Sequence, residues 1–124
     1  MLYAILCYAN EETVFAWTEE EEAAVMGNLH AVIEPLAAAG KLGPTGRLMP
    51  TTAAATVRKG RDEAFVVDGP FAETKEALLG FYTVDFETLD EAIAFSKQLS
   101  AVNPGSTSYE IRPFYTFRPG EIAS

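Results

Sequence analysis

The same order of elements occurs twice in the sequence: a strand, a helix with a capping box at its start, and another strand. Apolar residues 2–9 precede Thr18 and Glu21, which have the spacing of a capping box at a helix start. A second apolar segment at 80–86 precedes the same Thr-x-x-Glu pattern, which begins at Thr88. With a hairpin between the two units, this order predicts an α+β fold, namely a ferredoxin-like, split-βαβ sheet with two helices on one face.

Periodicity and turn residues predict the remaining elements. Met26, Leu29, Ile33 and Leu36 recur at helical spacing and predict the buried stripe of the first helix. We expect Pro35 to kink this helix or end it early, because proline cannot donate the backbone bond to Ala31. The other expected elements are a polar loop at 10–18, an irregular strand at 42–49, a hairpin of 51–58 with 63–67, a second helix whose stripe is Leu89, Ala92, Ser96 and Leu99, and a last strand at 109–117 in which Pro113 favours a sheet edge.

One face of the predicted sheet has no cover within the chain. Two helices cover only one face, yet the strands at 2–9, 80–86 and 109–117 carry large apolar residues on both alternating sets. The simplest cover for the second face is another copy of the chain, packed sheet on sheet as a symmetric homodimer. The alternative is a long loop, such as 10–18, that folds over this face.

Composition fits one domain over residues 1–124 and excludes several partners. The net charge of -9 argues against a nucleic acid partner and against anionic membrane surfaces. No apolar stretch approaches the roughly 20 residues of a membrane helix. The start lacks the basic region of an export signal and Cys7 has no second cysteine to pair with, so we expect a cytoplasmic protein in which Cys7 is a small buried hydrophobe.

The negative charge is unevenly distributed along the chain. Residues 1–40 contain seven acidic residues and no Lys or Arg, whereas residues 41–75 contain six basic and four acidic residues. This second stretch is therefore slightly basic, and the overall charge does not exclude a small anionic ligand.

Residues 68–76 read Asp-Gly-Pro-Phe-Ala-Glu-Thr-Lys-Glu, and this segment resembles the signature of the YCII-related family. The resemblance covers about residues 2–116 and leaves the tail at 117–124 without a counterpart. Leu79 stands where many relatives have glycine, and because leucine resists a positive φ we expect the chain to close differently there. Further matching stretches are Thr56-Val57-Arg58, Gly80-Phe81-Tyr82, Leu89-Asp90-Glu91-Ala92 and Glu110-Ile111-Arg112-Pro113.

The resemblance implies a fold more than an activity. Relatives are dimeric α+β barrels shaped like muconolactone isomerase, so it implies this assembly for the present chain. For some relatives a His–Asp pair has been proposed as an acid–base site, with the histidine on the first helix. The branch with this signature is associated with extracytoplasmic-function sigma factors, and no general activity is settled for it.

The candidate catalytic residues are Asp68, Glu73 and His30. Asp68 follows an apolar strand, and a carboxyl group at such a strand end suits general acid or base chemistry; alternatively, it accepts backbone N–H groups near Gly69 in a turn. Glu73 is a second candidate for proton transfer, or part of a solvated loop with a local ion pair. His30 lies at the border between the helix stripe and solvent. Its distance along the chain from Gly40 differs by about one residue from that of the histidine proposed in some relatives.

The candidate substrate-binding residues are Lys75, Arg58, Arg112 and Tyr82. Lys75 could bind an anionic group, and strand arginines could clamp a carboxylate through two hydrogen bonds. The alternative for both arginines is an ion pair with an acidic residue on the sheet surface. Tyrosines 82, 109 and 115 are expected to pack in a cleft or an interface.

Two functions remain open at this level. The first is a small cofactor-independent enzyme in which Asp68, with His30 or Glu73, moves a proton on a small organic molecule. This molecule could be an anion held by Lys75 and an arginine. We expect no cofactor or metal, because the chain has no phosphate-binding glycine loop, no nucleophile elbow and no run of metal ligands. The second is a non-catalytic module that senses a ligand or binds a partner in transcriptional regulation.

Overall fold

The computed structural model describes residues 1–122, which contain six strands, three α-helices and one short 3₁₀ helix. Residues 123–124 of the expected tail lie outside the described residues. In chain order the elements are β1 (Leu2–Ala9), α1 (Glu11–Val14), α2 (Glu19–Ala38), β2 (Leu42–Arg47), a short 3₁₀ helix (Thr51–Ala53), β3 (Ala55–Arg58), β4 (Phe65–Asp68), β5 (Ala77–Asp85), α3 (Leu89–Val102) and β6 (Thr107–Pro113).

The main sheet has the strand order β2-β5-β1-β6, and every neighbouring pair is antiparallel. This is the arrangement of two interleaved strand–helix–strand units, so the predicted split-βαβ α+β architecture is confirmed. β6 is an edge strand, as expected from Pro113. β3 and β4 form a separate two-stranded hairpin outside this sheet.

Both long helices pack on the same face of the sheet. Alternate residues of the central strands point to this face because side chains on a strand alternate between its two sides. The largest fully buried side chains between the sheet and the helices are those of Ile5, Val84 and Leu99. The buried members of this core are Tyr3, Ile5, Val25, Leu29, Leu36, Val84, Ala92, Phe95 and Leu99.

Helix α2 begins as predicted and continues past Pro35. The Thr18 hydroxyl accepts the Glu21 N–H, and the Glu21 carboxylate accepts the Thr18 N–H, both at 3.1 Å. The expectation that Pro35 ends the helix early is wrong, because α2 continues to Ala38. Pro35 and the Ala31 carbonyl that loses its donor both lie on exposed residues, so water can satisfy that carbonyl.

Helix α3 confirms most of its expected stripe. The Thr88 hydroxyl accepts the Glu91 N–H at 3.3 Å, and Ala92, Ser96 and Leu99 are buried. Leu89 is 47% exposed, contrary to the expectation, whereas Phe95 is buried in its place. At 100° per residue Leu89 lies about 70° from the centre of the buried arc, and it is also the first helical residue.

Several boundaries differ from the sequence expectations. The loop at 10–18 contains α1, whose first turn is closed by the Asn10 side chain accepting the Thr13 N–H at 3.1 Å. Residues 51–53 form a 3₁₀ helix, so the hairpin strand begins only at Ala55. β6 ends at Pro113 rather than at residue 117, because proline has no N–H to extend the pairing.

Leu79 lies inside β5 rather than in a loop, because β5 begins at Ala77, three residues before the predicted start. Among the described residues only glycines have a positive φ. The expected conflict between Leu79 and a left-handed backbone therefore does not arise. Leu79 is 8% exposed and packs with Ala9 and Ala77, close to an irregularity in the β1–β5 pairing.

The β3–β4 hairpin exposes apolar side chains on both of its faces. Val57 and Val66 face each other across the two strands and are 70% and 66% exposed. Phe65 and Val67, on the opposite face, are also exposed. A two-stranded hairpin is at best marginally stable alone in water, so the strand pairing by itself contributes little stability. Within residues 1–122, no helix has the length and apolar character needed to cross a bilayer.

Two glycine substitutions are expected to change stability in opposite directions. A Cβ at Gly80 would lie 2.7 Å from the Gly46 carbonyl oxygen on the paired strand, so Gly80→Ala should lower the free energy of unfolding by about 1–3 kcal/mol. Gly27 lies within α2 and a Cβ there meets nothing within 4 Å. Gly27→Ala should raise the free energy of unfolding by about 0.5–1 kcal/mol. Urea unfolding of both variants checks the two signs, and equal effects would contradict the close strand approach.

Candidate functional site

The signature segment 68–76 begins with a turn that closes without the Asp68 side chain. Gly69 has a φ of 106°, a conformation that side-chain-bearing residues rarely adopt, which explains a glycine at this position. Its N–H donates to the Ala54 carbonyl at 2.8 Å, and the Thr56 hydroxyl donates to the Gly69 carbonyl at 2.8 Å. The Gly69 N–H therefore does not donate to the Asp68 carboxylate, which was the alternative role expected for Asp68.

Beside this turn lies a cavity of about 500 Å³, which we name the acidic cavity. Its three charged lining residues are Glu11, Asp68 and Glu73. Glu11 is fixed, because its carboxylate accepts the backbone N–H and the hydroxyl of Thr51, each at 2.6 Å. The other lining residues are Thr51, Thr52, Gly69, Pro70, Ala72, Thr74 and Ala77.

Asp68 and Glu73 contribute carboxylates with no internal partner. Neither accepts a hydrogen bond nor forms an ion pair within residues 1–122. Both residues are exposed, so solvent reaches the carboxylates. The cavity therefore combines one carboxylate that holds the wall and two that are available to a bound molecule.

Glu76 anchors the end of the signature segment to β6. Its carboxylate accepts hydrogen bonds from the Ser106 hydroxyl and, at 2.6 Å, from the Ser108 hydroxyl. These hydrogen bonds, with a smaller contribution from Lys75, lower the pKa of the Glu76 carboxyl group below its ordinary value. No local sequence pattern links these residues, since the serines lie about thirty positions away from Glu76.

This anchor predicts an acid-dependent loss of stability. Because the folded-state pKa of Glu76 is lowered, its contribution is present above the ordinary value of 4.5 and is lost as pH falls through the folded-state pKa. Glu76→Gln should flatten this part of the stability profile, measured by urea unfolding from about pH 6 to about pH 3. Glu63→Gln, in the exposed hairpin turn, is the control. Identical profiles for Glu76→Gln and the wild type would contradict the prediction.

The three predicted anion-binding residues lie apart from one another. Lys75 lines a smaller cavity of about 270 Å³ with Glu11 and Glu12 rather than the acidic cavity. The Arg58 guanidinium lies 5.2 Å from the centre of the Phe71 ring, a cation–π contact. Arg112 lies on edge strand β6, opposite Ala4. A single chain therefore does not assemble them into one anion clamp.

His30 and Tyr82 also lie away from Asp68 and Glu73. The His30 side chain is 73% exposed on α2, and its Nε2 lies 3.3 Å from a Glu34 carboxylate oxygen. This places His30 further towards solvent than the expected border position. Tyr82 lies on the helix-covered face of the sheet, where burial raises its pKa to about 12. Tyr115 is fully exposed in the chain.

A second cavity, which sequence reasoning missed, lies between α2 and the sheet, and we name it the helix-side cavity. Its volume is about 460 Å³, and its lining includes Cys7, Tyr82 and Tyr109 together with apolar residues of α2. Cys7 is half-buried rather than fully buried as expected, and burial raises the pKa of its thiol to about 12. The signal available in the sequence was small residues, among them Ala9, Gly46 and Gly80, on neighbouring strands.

Within the part of the chain that the structure describes, no group of three or more His, Cys, Asp or Glu side chains could hold a metal ion.

These features define an α+β domain with a split-βαβ sheet whose signature loop closes an acidic cavity. The chain belongs to the YCII-related domain family, which it matches over residues 1–115. A protein of Rhizobium meliloti (strain 1021), described as uncharacterised, is 55% identical to this chain over 124 residues that span the whole of both chains. The predicted family is thus confirmed, and this relative's description adds no activity.

Proposed function

We propose that the protein is a small cofactor-independent enzyme that transfers a proton in the acidic cavity. The observation that carries the proposal is that Asp68 and Glu73 line one cavity and have no internal partner. Two carboxyl groups at a site can serve as base and acid on one substrate. Glu11, bonded to Thr51, holds the facing wall in place.

The charge of the cavity selects the class of substrate. Its charged lining consists of three carboxylates, with no Lys or Arg. An anion would be repelled, whereas a neutral or cationic molecule with a carbonyl or hydroxyl group would not. The sequence also allowed an anionic substrate, but Lys75, Arg58 and Arg112 are not in the lining of this cavity.

Proton transfer can be tested before the reaction is known. A panel of small neutral and amine-bearing ketones in D₂O would be followed by NMR for protein-dependent exchange of hydrogen next to the carbonyl group. Asp68→Asn should slow this exchange by about 100-fold or more, in line with the usual contribution of a general base. Asp62→Asn, in the exposed hairpin turn, is the matched control and should exchange like the wild type. Exchange that is equal in the wild type and Asp68→Asn would refute the role of Asp68.

We also propose that two copies form the dimeric α+β barrel. The support is the sheet face opposite the helices, where Leu2, Ala4 and Leu6 of β1, together with Phe81 of β5, the partner of Leu6, are only half-buried. The core formed by α2 and α3 lies wholly on the other side. A second sheet packed on this face would bury these side chains, and the exposed hairpin could find its cover at the same interface.

The hairpin also supports a second candidate function, a partner-binding module. Val57, Val66 and Phe71 are each more than 60% exposed. Hydrogen–deuterium exchange of the hairpin amides in the pure protein separates the two uses of this surface. Slow exchange at Val57 and Val66 would assign the hairpin to contact between copies, whereas fast exchange would leave it for another protein.

A further inference from the structure

The helix-side cavity exists because the strands beneath it cannot fill it. Three residues on its floor are small, namely Ala9, Gly46 and Gly80. A Cβ at Gly80 would lie 2.7 Å from the Gly46 carbonyl oxygen on the paired strand, so close packing of the strands excludes a larger side chain there. The cavity opens to solvent, and its volume of about 460 Å³ lies in the range of small-molecule sites.

The wall of this cavity favours a neutral, mainly apolar ligand. Trp17, Met26, Leu29 and Ile33 supply apolar surface from α2 and the segment that precedes it. The polar side chains on the sheet side include the thiol of Cys7 and the phenols of Tyr82 and Tyr109. These groups are neutral at neutral pH, and burial raises the pKa of each one further. A charged ligand would lose its hydration without gaining a partner here.

The single charged residue in the lining is already neutralised. Arg47 lies at the cavity, and its guanidinium forms an ion pair with the Glu22 carboxylate at 2.7 Å. The same guanidinium lies 3.9 Å from the Met26 sulfur. Arg47 therefore does not present an unpaired charge that would select an anion.

Two polar groups in the lining have unused hydrogen-bonding capacity. The Tyr82 hydroxyl makes no hydrogen bond within residues 1–122, whereas the Tyr109 hydroxyl accepts one from the Asn103 amide at 3.2 Å. The Asn103 Oδ1 atom is buried without a partner. A buried unsatisfied group costs about 1–3 kcal/mol, so a ligand that pairs with one of these groups would be stabilised.

We propose that the helix-side cavity binds a small neutral ring compound that carries one hydroxyl or carbonyl group. The ring packs among Trp17, Met26 and Ile33, and the polar group bonds to the Tyr82 hydroxyl. This site is separate from the acidic cavity and does not rest on proton transfer there.

The test uses 2-naphthol as the probe, with naphthalene as its counterpart without a hydroxyl group. Trp17 is the single tryptophan of the chain and lines the cavity, so its fluorescence should change with saturable binding. Of the three methionines, Met26 should shift in a methyl-labelled NMR spectrum, whereas Met1 and Met49 should not. Tyr82→Phe should weaken 2-naphthol binding by up to about 10-fold and leave naphthalene binding unchanged.

Two further variants locate the site. Ile33→Phe should fill the cavity and abolish binding of both probes, with its fold checked by circular dichroism, and Asp68→Asn should bind both probes like the wild type. The proposal is overturned by the absence of saturable binding, by shifts at Met49 instead of Met26, or by unchanged binding in folded Ile33→Phe. It is also overturned by an unchanged preference for 2-naphthol over naphthalene in Tyr82→Phe, or by loss of binding in Asp68→Asn. If Ile33→Phe does not fold, the presence or absence of a Met26 shift in the wild type still tests the proposal.

Discussion

Leu99→Ala should lower the free energy of unfolding by about 2.7–5 kcal/mol. Leu99 is completely buried on α3 and belongs to the core that joins both long helices to the sheet. Truncation removes its apolar surface from the core and leaves a cavity that its neighbours only partly fill. Because a domain of this kind is stable by about 5–15 kcal/mol, the loss is a large part of the total.

Leu89→Ala is the matched control, since it makes the same chemical change on the same helix. Leu89 is 47% exposed, and a surface substitution of this kind usually changes stability by about 0.5 kcal/mol or less. Urea unfolding followed by circular dichroism measures both variants, and the midpoints should separate clearly. Similar losses for Leu99→Ala and Leu89→Ala would show that α3 does not pack on the sheet through the face described.

The architecture was predictable because its signals are local and repeated. The pair Thr18 and Glu21 fixes the start of α2 through two short-range hydrogen bonds, and side-chain alternation places Tyr82 and Val84 of β5 on the same side of the sheet. The effect of Pro35 was overestimated, because the carbonyl it leaves without a donor lies on the exposed side of α2. Short elements such as α1 were missed because four residues carry no periodicity.

The candidate site was predictable only in part. Asp68 and Glu73 share a cavity because one turn joins them, so their closeness follows from a short stretch of sequence. Glu11 reaches the same cavity through a contact with Thr51, forty positions away, which no local pattern reports. The helix-side cavity was missed because a cavity is the space that neighbouring small residues leave empty. Which small residues are neighbours is known only once the register of the strands is known.

The sheet face opposite the helices leads to the second prediction with a large expected effect, which concerns assembly. If two copies pair through this face, light scattering should give about twice the 13.4 kDa of one chain. Leu6 lies in the middle of this face, between Phe81 of β5 and Glu110 of β6. Leu6→Asp would place a second carboxylate beside Glu110 and bury it unpaired between the two sheets, which costs several kcal/mol.

Leu6→Asp should therefore raise the dissociation constant of the dimer by about 1000-fold and shift the measured mass to 13.4 kDa at micromolar concentration. Leu89→Asp is the matched control, since Leu89 is exposed at the start of α3, where an acidic residue is tolerated by the helix dipole. It should keep the mass of the wild type. A wild type that already has the mass of one chain, or a folded Leu6→Asp that remains paired, would contradict assembly through this face. In that case the apolar residues of β1 and β5 would need their cover from a different partner.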